Sequence, residues 1–271
     1  MTKRLLWMFA AILICGASAF TSCTDDNTDN PIEPIDNLAE KIIGKWITAD
    51  RNGEPISTNM KQVINFVSST EAYCSSSMDN TTNYSAIWKH HSSFDVAISG
   101  NVVTLTEQNT GEGVKVKDEL DIIAISDTEL TAVSKVVLFE KDEEKFSAGK
   151  IVRMVKVTAD YSKEILGTWE GHVTSNQDEY GDGKDHRWEY KADGSYVYYD
   201  KDGNNWVAST NTLNEFFIDG TLLCSRWINN GTEFREWWDV EIANDVMKWT
   251  ALRHKSDGTS YTASFEMKKV K

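Results

Sequence analysis

Alternation of apolar and polar residues, repeated over short runs, is the dominant pattern in this chain. On His186–Lys191, Trp188 and Tyr190 share one face and Arg187, Glu189 and Lys191 the other. Tyr261, Ala263, Phe265 and Met267 stand opposite Thr262, Ser264, Glu266 and Lys268. After Gly231, the residues Phe234, Trp238, Val240 and Ile242 share a face, while Trp237 falls with Asp239 and Glu241. Trp249 and Ala251 continue the apolar set. A period of two places alternate residues on opposite faces of a strand, and the first-named faces are read as interior. Earlier in the chain, Phe94–Ile98 alternates, turns at Ser99-Gly100-Asn101 and returns as Val102–Thr106. Leu120–Ile125 and Leu130–Val137 form another pair around Ser126–Glu129, and Lys141–Lys145 is a charged turn. Tyr73–Tyr84, rich in Ser, Asn and Thr, reads as a long loop. Apart from one short turn before each half, no stretch has a helical period of useful length. Many short strands joined by turns predict an all-β sandwich or barrel.

The pattern occurs twice. Ile42-Ile43-Gly44-Lys45-Trp46 matches Ile165-Leu166-Gly167-Thr168-Trp169. Four further blocks follow in the same order. Gln62–Phe66 matches His186–Tyr190, Phe94–Gly100 matches Asn214–Gly220, Leu120–Asp127 matches Trp238–Asp245, and Lys150–Val157 matches Ala263–Val270. Conserved order with gaps indicates an internal duplication. Glycine permits a sharp turn and close backbone approach, and a tryptophan two residues later can cover the end of a barrel.

On these residues, above all Gly44/Trp46 and Gly167/Trp169, the chain resembles a tandem of lipocalin-like (calycin) domains in surface lipoproteins of anaerobic Gram-negative bacteria. The resemblance spans about residues 38–271. It implies two consecutive antiparallel β-barrels of about eight strands each, over 38–160 and 161–271. The wider family sets an Arg of the last strand against the tryptophan. Arg153 would take that part in the first copy, whereas the second copy has Glu266 there.

The N-terminus changes the picture from fold to address. Lys3 and Arg4 precede an apolar run from Leu5 to Ala19, too short for a comfortable membrane span. Thr21-Ser22-Cys23 resembles the lipobox of bacterial lipoproteins, which implies cleavage after residue 22 and lipidation of Cys23. Asp25 and Asp26 resemble the signal that sends such proteins to the outer face of the outer membrane. Residues 23–37, with five acidic residues and two of the three prolines, are expected to form a flexible acidic tether. The expected location is therefore the outer membrane at the cell surface, held by the lipid at Cys23. The formal net charge of −14 is spread without a basic block, which argues against nucleic acid and against electrostatic adhesion to anionic lipid. Beyond Cys15 and Cys23, one cysteine remains in each half, Cys74 and Cys224. They fit either an interdomain disulfide or two buried thiols.

No nucleophile elbow, phosphate loop, dinucleotide fingerprint or zinc motif is present, so neither enzyme, cofactor nor metal is expected. The histidines lack metal-ligand spacing, and His186 is taken as a surface or strand residue. The acidic loops Asp178–Asp185 and Asp200–Asn205 depart from calcium-loop spacing and read as solvated connections. Seven of the ten tryptophans lie in the second half. Trp188, Tyr190, Trp238, Trp249 and Phe265 are either plain core or the lining of a ligand cavity, and Trp206 is a candidate rim residue. Glu236 has the interior parity of Trp238, unless a bulge turns it outward. The expectation is a lipid-anchored envelope protein that binds a small apolar or aromatic molecule within a barrel, or a glycan at its rim. The alternative is a surface adaptor with filled barrels that contacts another envelope protein.

Overall fold

A computed structural model describes residues 33–76, 92–107, 115–140, 143–146, 149–175 and 183–271. The fold is almost entirely β and comprises two antiparallel barrel sheets. The signal segment, Cys23, His90-His91 and the start of the Asp178–Asp185 loop lie outside the described residues.

The first sheet contains β1 (Gly44–Arg51), β2 (Glu54–Pro55), β3 (Gln62–Ser68), β4 (Glu71–Ser76), β5 (Ser92–Ser99), β6 (Val102–Glu107), β7 (Lys115–Ile125), β8 (Glu129–Glu140), β9 (Glu143–Phe146) and β10 (Lys150–Val157). Eight of these close a barrel in the order β1-β3-β4-β5-β6-β7-β8-β10, with β10 returning to β1. Irregularities at Thr48/Asp50 and Ile122/Ala124 bend the strands in the way closure requires. Tyr73–Ser76, expected in a loop, belongs to β4: its backbone pairs with β3 throughout, and Tyr73 and Cys74 pair with β5 as well.

The second sheet contains β11 (Gly167–Val173), β12 (His186–Tyr190), β13 (Tyr196–Asp202), β14 (Asn205–Ala208), β15 (Thr212–Asp219), β16 (Leu222–Asn229), β17 (Thr232–Ala243), β18 (Val246–His254) and β19 (Ser260–Lys269). Its order is β14-β13-β12-β11-β19-β18-β17-β16-β15. This is the path of the first barrel, with one difference. Where β4 and β5 form a ladder, the backbone just before β13 joins β15 through the bridge Ser195–Glu215 and the bond from Phe216 N–H to the Gly194 carbonyl, 2.8 Å. The outer half of β13 pairs with β14 instead. Aromatic rings fill the seam. Tyr190 packs on Phe216 at 4.7 Å and on Tyr196 at 6.0 Å. Side-chain packing here does what a hydrogen-bond ladder does in the first barrel.

The duplicated blocks fall on corresponding strands, and the opening motif has the same register twice. Trp46 stands opposite Ile64 and Lys156, and Trp169 opposite Trp188 and Lys269. Each indole is buried and donates to a carbonyl one turn earlier, Trp46 to Ile42 at 2.6 Å and Trp169 to Ile165 at 2.7 Å. Gly44 and Gly167 have φ of 117° and 110°, backbone that an L side chain rarely adopts. A Cβ there would also sit 3.1 and 3.2 Å from the Cε atoms of Lys156 and Lys269.

The tether is not free to its end. Ile35 N–H donates to Asn101 Oδ1 at 2.8 Å, Asn101 Nδ2 donates to the Glu33 carbonyl at 3.0 Å, and Ile35 packs on the first core. An apolar residue within an acidic segment can anchor it where the segment's average cannot.

The barrels dock against each other through an apolar cluster of outward-facing residues. Ile47 and Val63 meet Phe217, Leu222 and Cys224, flanked by Val155, Val157 and Trp237. Polar contacts ring the cluster. Asp219, 3% exposed, takes Lys45 at 2.7 Å and the Ser75 hydroxyl at 2.6 Å. Lys61 pairs with Asp239 at 2.7 Å, and Thr58 Oγ1 accepts the Leu252 N–H at 2.9 Å. Cys74 and Cys224 are both buried free thiols.

Candidate functional site

The second barrel's inward face is packed with rings. Trp188, Tyr190, Trp238, Trp249 and Phe265 are each at most 4% exposed and share one core. Trp188 lies edge-on to Trp249 at 4.9 Å and to Phe265 at 5.3 Å, and Trp238 stacks on Trp249 at 5.2 Å. Among the described residues, the Nε1 atoms of Trp238 and Trp249 find no acceptor. His186 is not on the surface. It is 2% exposed, bonded through Nδ1 to the Tyr198 hydroxyl at 2.6 Å, and ringed by Trp188, Tyr198 and Phe265. Its place at the head of the His186/Trp188/Tyr190 parity is the signal that would have found it.

The space lies at one mouth of this barrel, beside the first. A cleft of about 180 Å³ is lined by Trp227, Arg235, Glu236, Trp237 and Arg253, with Asn59 contributed by the first barrel. Asn59 belongs to the 3₁₀ turn Thr58–Met60, which rests on β17 and β18. Glu236 faces the barrel: its charge, after burial, pushes up the Tyr196 hydroxyl, and it contributes to the same shift at Tyr190. Arg253 lies over the Trp238 ring at 4.7 Å and donates to the Trp237 carbonyl at 3.0 Å. Burial holds the Arg235 guanidinium below its ordinary range, and its Nε bonds Glu233 at 2.9 Å. Phe234 stacks on Trp227 at 5.8 Å and is 43% exposed, not interior as its parity implies. The reason is length: the β16–β17 hairpin outruns the barrel, so inward parity at its tip faces solvent.

Trp206 does not line this cleft. Its register partner is Lys201, which places it on the outer face between Arg187 at 4.5 Å and Lys201 at 5.3 Å. Arg187 also pairs with Glu170. Arg153 does not cover Trp46. It bonds Asp50 at 2.5 Å and Glu129 at 2.7 Å, interactions that push its pKa up. Lys156 and Lys269 cover the two tryptophans instead, each with Nζ 5.0 Å from the ring centroid. They are matched in the duplicated last block, one lysine per copy.

The first barrel holds polar residues that the strand pattern did not single out. A cavity of about 40 Å³ is bounded by Thr48, Arg51, Gln62, Asp118 and Ser134 together with apolar side chains such as Phe94. Asp118 is 6% exposed, and burial, then the charge of Glu107, pushes its carboxyl up to about 8. The missed signal is parity: Asp118 precedes Leu120 and Ile122 at two-residue spacing on one strand. Among the described residues no group of three or more His, Cys, Asp or Glu is placed to hold a metal ion. In the second acidic loop, Asp200 and Asp202 are in β13 and Asn205 opens β14, so they form an ordinary hairpin.

No family model matches the chain, and neither does any curated protein. Among solved structures it is similar to a double mutant of the vaccine antigen Transferrin Binding Protein B from Haemophilus parasuis Hp5, at 12% identity and a TM-score of 0.24. That match covers 78% of this chain and 54% of the other, so this chain spans about half the length of that protein. It is also similar to a protein of unknown function from the DUF3598 family of Nostoc punctiforme, at 10% identity and a TM-score of 0.21, covering 85% and 97% of the two chains. At such TM-scores neither likeness carries an argument about function.

Proposed function

We propose that this is a lipid-anchored binding protein of the cell envelope, and that it recognises a glycan in the cleft where the first barrel meets the mouth of the second. The observation that carries this reading is the composition of the cleft. Trp227 and Trp237 offer flat apolar faces beside Glu236, Arg235, Arg253 and Asn59. A sugar ring presents C–H groups on one face and hydroxyls around its edge. Aromatic faces take the first, and charged or amide groups take the second through charge-assisted hydrogen bonds. The rim is preferred to the interior because the interior rings fill one another's contact surface. Anchoring at Cys23 and exposure at the outer membrane belong to the same proposal and rest on the N-terminal sequence.

The test is a glycan-array screen of the chain lacking only residues 1–23, followed by titration of any hit by tryptophan fluorescence. Saturable binding that weakens about tenfold or more in Trp227→Ala and in Glu236→Gln supports the reading. Flat titrations across the array overturn it and leave the adaptor, to be sought by cross-linking at the cell surface.

A further inference from the structure

We propose that the interior of the first barrel is a second, separate site that takes a small primary ammonium group, with Asp118 as its anion. Asp118 lies on β7 facing the lumen, and its Oδ1 has no hydrogen-bond partner among the described residues. Leaving a buried carboxyl oxygen unmatched is costly, so the cavity beside it calls for a donor. The donor must be small. A space of about 40 Å³ holds roughly three water-sized atoms. Ethylammonium has three heavy atoms: a charged head for Asp118 and a two-carbon stub for the lining of Phe94, Leu105 and Met154. Gln62 and Ser134 border the same space and can accept the remaining N–H groups.

The surrounding charges favour a cation. Glu107 faces Asp118 from β6 and is 6% exposed, so two carboxyls share the lumen. Arg51 also faces the cavity, from β1, while the upward shift of Asp118 comes from burial and then from Glu107. Burial holds the Arg51 guanidinium below its ordinary range. Cys74 on β4 also faces the cavity, and its thiol is pushed up, so it stays neutral. With no ligand, Asp118 is protonated at neutral pH. An ammonium ion that binds the carboxylate therefore drives off nearly one proton. The ammonium keeps its own protons, so the released proton comes from Asp118.

The experiment is calorimetric titration of the whole chain with ethylammonium chloride at pH 7 in two buffers of different ionisation heat, with ethanol as the uncharged isostere. The expected result is saturable uptake of ethylammonium with release of nearly one proton, and little uptake of ethanol. Asp118→Asn, checked for cooperative thermal unfolding, is expected to weaken uptake at least tenfold and to abolish proton release. Glu107→Gln is expected to weaken it severalfold while keeping the release. Uptake of ethanol equal to that of ethylammonium, affinity unchanged in both variants, or no uptake at all would overturn the proposal. None of these outcomes bears on the glycan cleft, whose residues are on the other barrel and its contact with Asn59.

Discussion

Asp219 is the polar centre of the barrel–barrel contact, and removing it should uncouple the two domains. Its carboxylate is 3% exposed, while Lys45 retains 30% exposure, so the pair lies between two regimes. Exposed ion pairs are worth roughly 0–1 kcal/mol, whereas removing one partner of a fully buried pair costs about 3–5 kcal/mol. Discounting for the solvent that still reaches Lys45, the pair itself should account for about 1–2 kcal/mol. The buried Ser75 hydroxyl loses its 2.6 Å bond to Asp219, which adds about 1 kcal/mol. Asp219→Ala should therefore cost about 2–3 kcal/mol, and Asp219→Asn less, because an amide oxygen still accepts from Ser75. The assay is urea unfolding of the single variants Asp219→Ala and Lys45→Ala and of the double variant. A coupling energy of about 1–2 kcal/mol is expected. The parent should unfold in one transition, since Ile47, Val63, Phe217, Leu222 and Cys224 form a shared core. Asp219→Ala should separate the transitions of the two barrels. A coupling within about 0.3 kcal/mol of zero, with a single unshifted transition, would refute the docking argument.

Three further outcomes are expected. Gly44→Ala and Gly167→Ala should each destabilise by about 2 kcal/mol in urea unfolding, because both positions have the same positive φ; a loss below about 0.5 kcal/mol at both would contradict that backbone. Native protein should leave Cys74 and Cys224 unmodified by iodoacetamide at pH 8, with both reacting in urea, since both thiols are buried and that of Cys74 is pushed up first by burial and then by Asp118. Asp118 is raised in the folded state to about 8, so the native protein holds a proton there that the unfolded chain has released above pH 4. Its contribution is full below about pH 4, falls by up to ~1.4 kcal/mol per pH unit from there to about pH 8, and is flat beyond. Stability curves of Asp118→Asn should lack that fall, and an identical pH profile in the variant would place the carboxyl elsewhere.

The strands and their faces were legible because a period of two requires no knowledge of the partner strand. The duplication was legible because both copies keep one register. What escaped follows from what alternation hides. A strand buried on both faces shows a continuous apolar run rather than an alternating one. Val63-Ile64, Phe216-Phe217-Ile218, Leu222-Leu223-Cys224 and Trp237-Trp238 are such runs. In each, one residue fills a barrel and its neighbour fills the contact between barrels. Trp237 looked like an outer residue because Asp239 and Glu241 share its face, yet Asp239 itself pairs across the contact with Lys61. His186 follows the inward parity of Trp188 and Tyr190, whereas the outer-face place of Trp206 between Arg187 and Lys201 depends on how the β13–β14 hairpin folds, which a strand's own sequence does not say.

The carboxylates at the two proposed sites occupy one position of the fold. Aligning Leu120 with Trp238 places Asp118 over Glu236, each facing inward two residues before a buried apolar side chain. The register agrees: Asp118 stands opposite Leu105 on β6, and Glu236 opposite Ser225 on β16. Two residues further along those partner strands, the first barrel has Glu107 and the second has Trp227. One inherited acid is thus set beside a second acid in one barrel and beside an aromatic face in the other. The first combination suits a small cation held away from water, and the second suits a ring with hydroxyls at a mouth. Exchanging the neighbours tests this directly. Trp227→Glu should abolish glycan binding, whereas Glu107→Trp should fill the first lumen and exclude ethylammonium. If both variants bind as the parent does, the shared position is a relic of duplication and carries neither site.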